Sequence, residues 1–158
     1  LKNIKILFVC TGNTCRSVIA QALFQKIKDE LSPELNYQAD SAGIAAIEGA
    51  TPTSEAIFCM ARHGMDITTY QAKTVNDKLI KNFSLILTMT SQQHDFLKKH
   101  FPRARHKIFL LRPYCFRNSH IKNQEIEDPF GKSMLFYEKI CRQLEQDINK
   151  LIYRLREG

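Results

Sequence analysis

The sequence predicts an α/β fold: a four-stranded parallel sheet with helices on both faces, a three-layer sandwich. Three observations predict it. Strand-type and helix-type patterns alternate along the whole chain, which is how βαβ units read. The first strand ends in a nearly unbroken apolar run, K-N-I-K-I-L-F-V-C, which suits a strand buried on both faces. No internal repeat, low-complexity tract or linker interrupts the alternation. The 158 residues are expected to form a single domain over 1–158. A domain of that size buries roughly two thirds of its unfolded surface and needs no staple. With 44% apolar and 25% charged residues, the composition excludes disorder, collagen and coiled coil.

The elements follow in order. Lys2–Cys10 is the first strand, and Thr11-Gly12-Asn13-Thr14 is turn material. Ser17 is expected to cap a helix to about Leu31, in which Ile19, Leu23, Ile27 and Leu31 repeat every four residues. Ser32-Pro33 stops it, and Tyr37–Ala42 is a weaker second strand ending at Gly43. Thr53–His63 reads as a helix, with Thr53 as cap and Gly64 just past its end. Thr74–Asn82 carries a short helical pattern, and Phe83–Met89 is the third strand. Ser91–His100 is a helix stopped by Pro102, Lys107–Leu111 the fourth strand, and Arg112–Gly131 an irregular stretch. The last helix spans about Ser133–Arg156, with Phe136, Ile140, Leu144, Ile148, Leu151 and Leu155 on one apolar stripe.

The net charge of +7 points to an anionic partner without saying which. No apolar run reaches the roughly 18 residues of a membrane span, and Ile4–Cys10 is too short for a signal peptide. Five scattered cysteines, an odd number, suggest reduced thiols and a cytoplasmic location. Neither they nor the five histidines show zinc-ligand spacing, so no metal is expected. Lys98-Lys99 and Arg103–Lys107 are basic, yet no nucleic-acid fold signature accompanies them, and such clusters usually form solvated faces.

Ligands in open α/β folds sit beyond the carboxyl ends of the strands. Cys10-Thr-Gly-Asn-Thr-Cys-Arg-Ser17 lies there, between a strand and a helix. A short loop entering a helix gathers main-chain N–H groups into an anion cradle. Gly12 and Asn13 are the residues that most readily take the positive φ such a curl needs. Cys10 is at the base of the cradle, and thiols near helix N-termini and cations ionise more easily than free ones. Arg16 closes the loop with a planar fork for two phosphoryl oxygens. Together these describe attack on a phosphate ester.

V-C-T-G-N-T-C-R-S resembles the phosphate loop of the low-molecular-weight protein tyrosine phosphatases. The resemblance continues through Ser41-Ala42-Gly43, His63-Gly64-Met65-Asp66 and Asp128-Pro129-Phe130, in the family's order. It implies a Cys-dependent phosphomonoesterase without metal or other cofactor, acting on phosphorylated proteins. It also implies that Cys10 is the nucleophile and that Arg16 binds the phosphoryl oxygens. The main chain of Thr11, Gly12, Asn13, Thr14 and Cys15 supplies further donors. By the same resemblance Ser17 donates to the Cys10 thiolate, Asn13 holds the loop with Ser41 in support, and Asp128 is the general acid. Neither nucleic acid nor membrane is expected as a partner, and the chain is expected to act as a monomer. Cys15 reads either as a small packed residue or as a thiol that traps oxidised Cys10.

Several positions depart from the commonest family pattern. Val18 replaces a frequent Pro, and Tyr70 stands where a loop-bracing His is usual. Ile44–Gly49 has no aromatic residue, and Phe130 is followed by Gly131, so the slot for phosphotyrosine has a thin wall. Thr14 replaces a bulky aliphatic residue. Thr at this position and Asp-Pro-Phe-Gly occur together in a bacterial branch resembling protein-arginine phosphatases, which favours phosphoarginine, with phosphotyrosine as the alternative. Thioredoxin-linked arsenate reductase shares the loop but needs a downstream Cys pair. Cys59, Cys115 and Cys141 read as isolated from one another. A non-catalytic phosphoprotein-binding module would have lost Cys10 or Asp128, and both are present.

Overall fold

The structure, a computed structural model, describes residues 3–158; the expected first-strand residue Lys2 lies outside the described residues. The elements run β1 (Ile4–Cys10), α1 (Arg16–Leu31), β2 (Tyr37–Gly43), α2 (Ser54–Arg62), α3 (Asp77–Asn82), β3 (Leu85–Thr88) and α4 (Ser91–His100). A 3-10 turn (Pro102–Lys107), β4 (Ile108–Leu110), α5 (Leu111–Phe116) and α6 (Met134–Glu157) complete the chain. The sheet is all parallel in the order β2-β1-β3-β4. The expected four-stranded parallel sheet with helices on both faces is therefore observed.

The alternation of β1 divides the core. Ile6, Phe8 and Cys10 face α1, α2, α5 and α6, while Leu7 and Val9 face α3 and α4 with Ile86 and Ile108. Their near-complete burial explains why β1 reads as an apolar run and not as an alternating one. On α6, Ile140, Leu144, Ile148, Leu151 and Leu155 form the buried stripe, but Phe136 is only half-buried and Tyr137 goes inside. On α1 the stripe ends at Ile27, because Leu31 lies 40% exposed.

Other boundaries differ for local reasons. Ser17 does not cap α1; Cys15 is the capping residue, and the Ser17 hydroxyl is used elsewhere. Thr53 caps α2 as expected, accepting from Ala56 N, and Gly64 follows with φ +77°. Thr74 lies in a bridge to Gly43, so α3 begins later, capped by Asn76. The stretch expected to be irregular contains α5. Its Pro113 lies in the first turn, where a missing N–H costs nothing. Lys107 belongs to the 3-10 turn and Leu111 to α5, which trims both ends of the expected fourth strand.

One buried charge makes stability depend on pH. The Asp147 side chain on α6 is almost wholly buried, and its Oδ2 accepts from Arg112 Nε at 3.0 Å while Oδ1 has no partner. Burial pushes its carboxyl up to about 6, against the opposing pull of Arg112. The folded state thus holds this proton more tightly than the unfolded chain. The resulting contribution, roughly 3 kcal/mol, is present below about pH 4 and is lost as pH rises through 6. Asp147→Asn keeps an acceptor for Arg112, and its stability relative to wild type is expected to rise across that window. Denaturant midpoints at pH 4 and pH 7 that differ equally for both proteins would contradict this.

Candidate active site

The segment after β1 curls around the Cys10 sulfur. Asn13 takes φ +57° and its main-chain N–H donates back to Cys10 Sγ at 3.3 Å. Ser17 Oγ lies 2.9 Å from the same sulfur. These are the donors a thiolate accepts most strongly. The main-chain N–H groups of Gly12, Thr14 and Cys15 meet no acceptor among the described residues. Unmatched donors ahead of a 16-residue helix are what an anion cradle requires.

Gly12 plays a different part from the one expected. Its φ is not positive; Asn13 alone makes the left-handed turn in this loop. The glycine that geometry demands is Gly43 at the end of β2. A Cβ there would lie 2.4 Å from Thr11 O and 3.1 Å from Asn13 N, both main-chain atoms. Thr11 O is also held by Ala45 N at 2.9 Å, so it cannot retreat. Gly43→Ala is expected to destabilise the fold by about 1–3 kcal/mol and to displace the loop. An unchanged Tm with unchanged kcat would show that the two strands' ends have more room than this.

Asn13 is the hub of the loop's support. Its Nδ2 donates to Ser17 Oγ (2.8 Å) and Ser41 Oγ (3.0 Å), and its Oδ1 accepts from Lys73 N (3.0 Å). Ser41 in turn donates to Gln21 Oε1 at 2.6 Å. Gln21, on α1, thus braces Ser41, whereas Tyr70 makes no bond to Asn13 or Ser41. The expected roles of Asn13, Ser17 and Ser41 as a connected support have a geometric counterpart.

Arg16 is 4% exposed and is anchored by Nη1 donating to Ile126 O at 3.0 Å. Ile126 N donates to Met89 O at 3.0 Å, and Ser91 N donates to Glu125 Oε2 at 2.6 Å. Those ties fasten the Asp128 loop to the carboxyl end of β3. Asp128 stands over the cradle with Oδ2 3.7 Å from Arg16 Nη2, and its side chain is 56% exposed. Its Oδ1 accepts from Phe130 N at 3.0 Å, so the Asp-Pro turn and the placement of a carboxylate at the mouth coexist. The rim is thin in aromatic groups: Ile47 and Phe130 are the large exposed apolar residues of the two flanking loops.

Three supports escaped the sequence reading. Gln93 completes a capping box with Thr90, a pattern visible as Thr-x-x-Gln, but its Nε2 also donates to Thr11 Oγ1 at 3.1 Å. Thr53 N donates to Thr14 O at 3.0 Å, joining α2 to the loop. Cys15 Sγ lies 3.3 Å from Tyr137 Oη and 3.6 Å from Thr53 Oγ1. Burial and then Cys15 push the Tyr137 hydroxyl well above its ordinary value, so it stays a neutral donor.

The reading of Cys59, Cys115 and Cys141 as isolated needs one correction. Cys59 on α2 and Cys141 on α6 are neighbours, brought together by helix packing that 81 intervening residues conceal. Burial pushes both thiols up, the opposite of what an electron relay needs.

Comparison with known proteins agrees with this geometry. The model of the low molecular weight phosphotyrosine protein phosphatases matches residues 5–158. The chain is 32% identical over 152 residues to the protein-arginine-phosphatase of Bacillus subtilis, covering 96% of this chain and 97% of that one. It is 33% identical over 142 residues to the protein-tyrosine-phosphatase Wzb of Escherichia coli K12, covering 89% and 88%. A solved structure of the YwlE arginine phosphatase, a Cys-to-Ser mutant with a phosphorylated active-site serine, superposes with a TM-score of 0.91 at 31% identity. That superposition covers 98% of this chain and 97% of that one. A Cys-x5-Arg loop after the first strand, a carboxylate over its arginine and matches along nearly the whole length have one explanation: the chain belongs to the low-molecular-weight phosphotyrosine protein phosphatase family.

Proposed function

We propose that the chain is a cysteine-dependent protein phosphatase that prefers phosphoarginine and works through a phosphocysteine intermediate. The observation that carries the reading is the Cys10 sulfur held by Ser17 Oγ and Asn13 N beneath the Arg16–Asp128 pair. Cys10 thiolate attacks phosphorus and the bond to the substrate side chain breaks. Asp128 gives its proton to the departing nitrogen or oxygen. The loop amides and Arg16 hold the equatorial oxygens as charge redistributes in the transition state. Asp128, now a carboxylate, takes a proton from water, whose oxygen attacks phosphorus and releases inorganic phosphate and the Cys10 thiolate. None of these steps uses a metal. The phosphorylated serine of the YwlE mutant supports a covalent intermediate at the equivalent position.

Substrate preference rests on Thr14 and the rim. Thr14 is half-buried beside Gly12, a small polar side chain where a bulky aliphatic would narrow the cradle. A planar guanidinium fits that width, and Asp128 can pair with it as well as protonate it. The name of the Bacillus relative favours the same reading. Phosphotyrosine is the second reading, favoured by the Escherichia relative and by Phe130, 68% exposed at the rim. The ratio of kcat/KM for phosphoarginine and phosphotyrosine peptides decides between them. Thr14→Ile is expected to shift that ratio toward tyrosine by about tenfold, since one or two methyl-sized groups in a pocket are worth about 1–3 kcal/mol. An equal fall for both substrates would show that Thr14 does not discriminate.

The reading extends to a monomer acting in the cytoplasm on phosphorylated proteins. All five cysteines are free, which suits a reducing compartment. Among the described residues no helix is long and apolar enough to cross a membrane.

A further inference from the structure

Catalysis leaves one strongly charged surface without a use. Residues 77–107 hold seven Lys and Arg against Asp77 and Asp95, and so carry five of the seven net positive charges. Of these, Lys81, Arg103 and Lys107 line a cavity of about 490 Å³ between the ends of α3 and α4 and the 3-10 turn, with Asp77 also in its lining. Ile80 and Phe101 give it apolar walls, and Lys81, Arg103 and His106 stand around it. None of these three has a hydrogen-bond or ion-pair partner among the described residues. Lys107, by contrast, is committed, with Nζ donating to Phe83 O at 2.7 Å.

Helix ends explain part of the charge. Each helix C-terminus carries about half a negative charge, and Lys81 and Lys98 to His100 lie in the last turns of α3 and α4. Arg103 lies past both helices, so the lining keeps a net positive charge, with Lys81, Arg103 and Lys107 against Asp77.

The parallel register places this cavity at the amino ends of β3 and β4, whereas the phosphate loop follows the carboxyl end of β1. Seven residues of β1 at about 3.3 Å each put roughly 20 Å between the two ends of the sheet. A linker of about ten extended residues reaches roughly 33 Å and can round the surface. The nearby Phe96 ring is stacked on His100 with centroids 4.0 Å apart, and Phe101 packs into the α3–α4 core. Neither ring is a free platform for bases, which single-stranded nucleic acid needs.

Resting on the phosphatase reading above, we propose that this cavity docks an acidic segment with an apolar anchor, carried by the same protein that presents the phosphorylated side chain. Docking raises the local concentration of that side chain at the cradle, so it lowers KM and leaves kcat alone.

Two measurements test it. The first is fluorescence anisotropy with an unphosphorylated labelled peptide of Asp and Glu ending in Leu. Wild type is expected to bind it, and Lys81→Glu/Arg103→Glu at least about tenfold more weakly, since like charges repel across an interface. The second compares a bare phosphoarginine peptide with one joined to that acidic segment by a Gly/Ser linker. KM is expected to fall about tenfold with the segment attached, and the double variant to lose that gain with kcat on the bare peptide unchanged. Equal binding by wild type and variant, or no change in KM, overturns the proposal. So does binding of a single-stranded oligonucleotide in place of the acidic peptide. Absence of turnover of the bare peptide indicts the catalytic reading alone, because the anisotropy needs no chemistry.

Discussion

Cys10→Ser is expected to lower kcat by at least about 10⁴-fold, the scale seen when a covalent nucleophile is removed. The serine hydroxyl keeps the size and place of the thiol, but it does not ionise near neutral pH. Ser17 Oγ and Asn13 N then have no anion to stabilise. The loop itself should persist, because its curl rests on Asn13, Ser41, Lys73 and Gly43 and not on the sulfur. Binding of orthovanadate or phosphate, followed by the quenching of a labelled site or by calorimetry, is therefore expected to survive the substitution. Turnover measured with EDTA present separates thiol chemistry from any metal-assisted route. A Cys10→Ser protein with more than a few per cent of wild-type kcat would end the nucleophile assignment.

Asp128→Asn is expected to lower kcat by about 10²- to 10⁴-fold on substrates whose leaving group needs a proton, the usual worth of a general acid. On p-nitrophenyl phosphate, whose leaving group is already a good anion, the loss is expected to be smaller. Asp128 is 56% exposed and lies 3.7 Å from Arg16, so its contribution to stability is small. Arg16 keeps its bond to Ile126 O in the variant. Loss of kcat with an unchanged Tm is thus the signature of a chemical role. Equal losses on both leaving groups would assign Asp128 to positioning Arg16 instead of to proton transfer.

The elements that carry the site were legible because their signals are local. β1 reads from seven consecutive residues, the α2 start from Thr53, and α6 from its apolar periodicity. α5 did not, since a six-residue helix offers too little periodicity and Pro113 looks like a breaker. Ser17 shows the limit of local rules. It has the chemistry of a cap and sits at the right place, yet Cys10 takes its hydroxyl.

What the sequence determined by itself was the chemistry: a thiol, a Gly-Asn turn, an arginine and a helix start within eight residues, which no packing can separate far. A loop that short fixes the distance between its own groups. What only the tertiary structure decided was which distant groups, beyond Ser41, hold that loop still. Gln21 against Ser41, Gln93 against Thr11 and Ile126 O against Arg16 join residues 20, 82 and 110 positions apart. Gly43 is needed for a contact with Thr11 O, not for its own turn. Side chains with many possible partners settle on one only when packing removes the others from reach, and that choice is written in no single stretch of the chain.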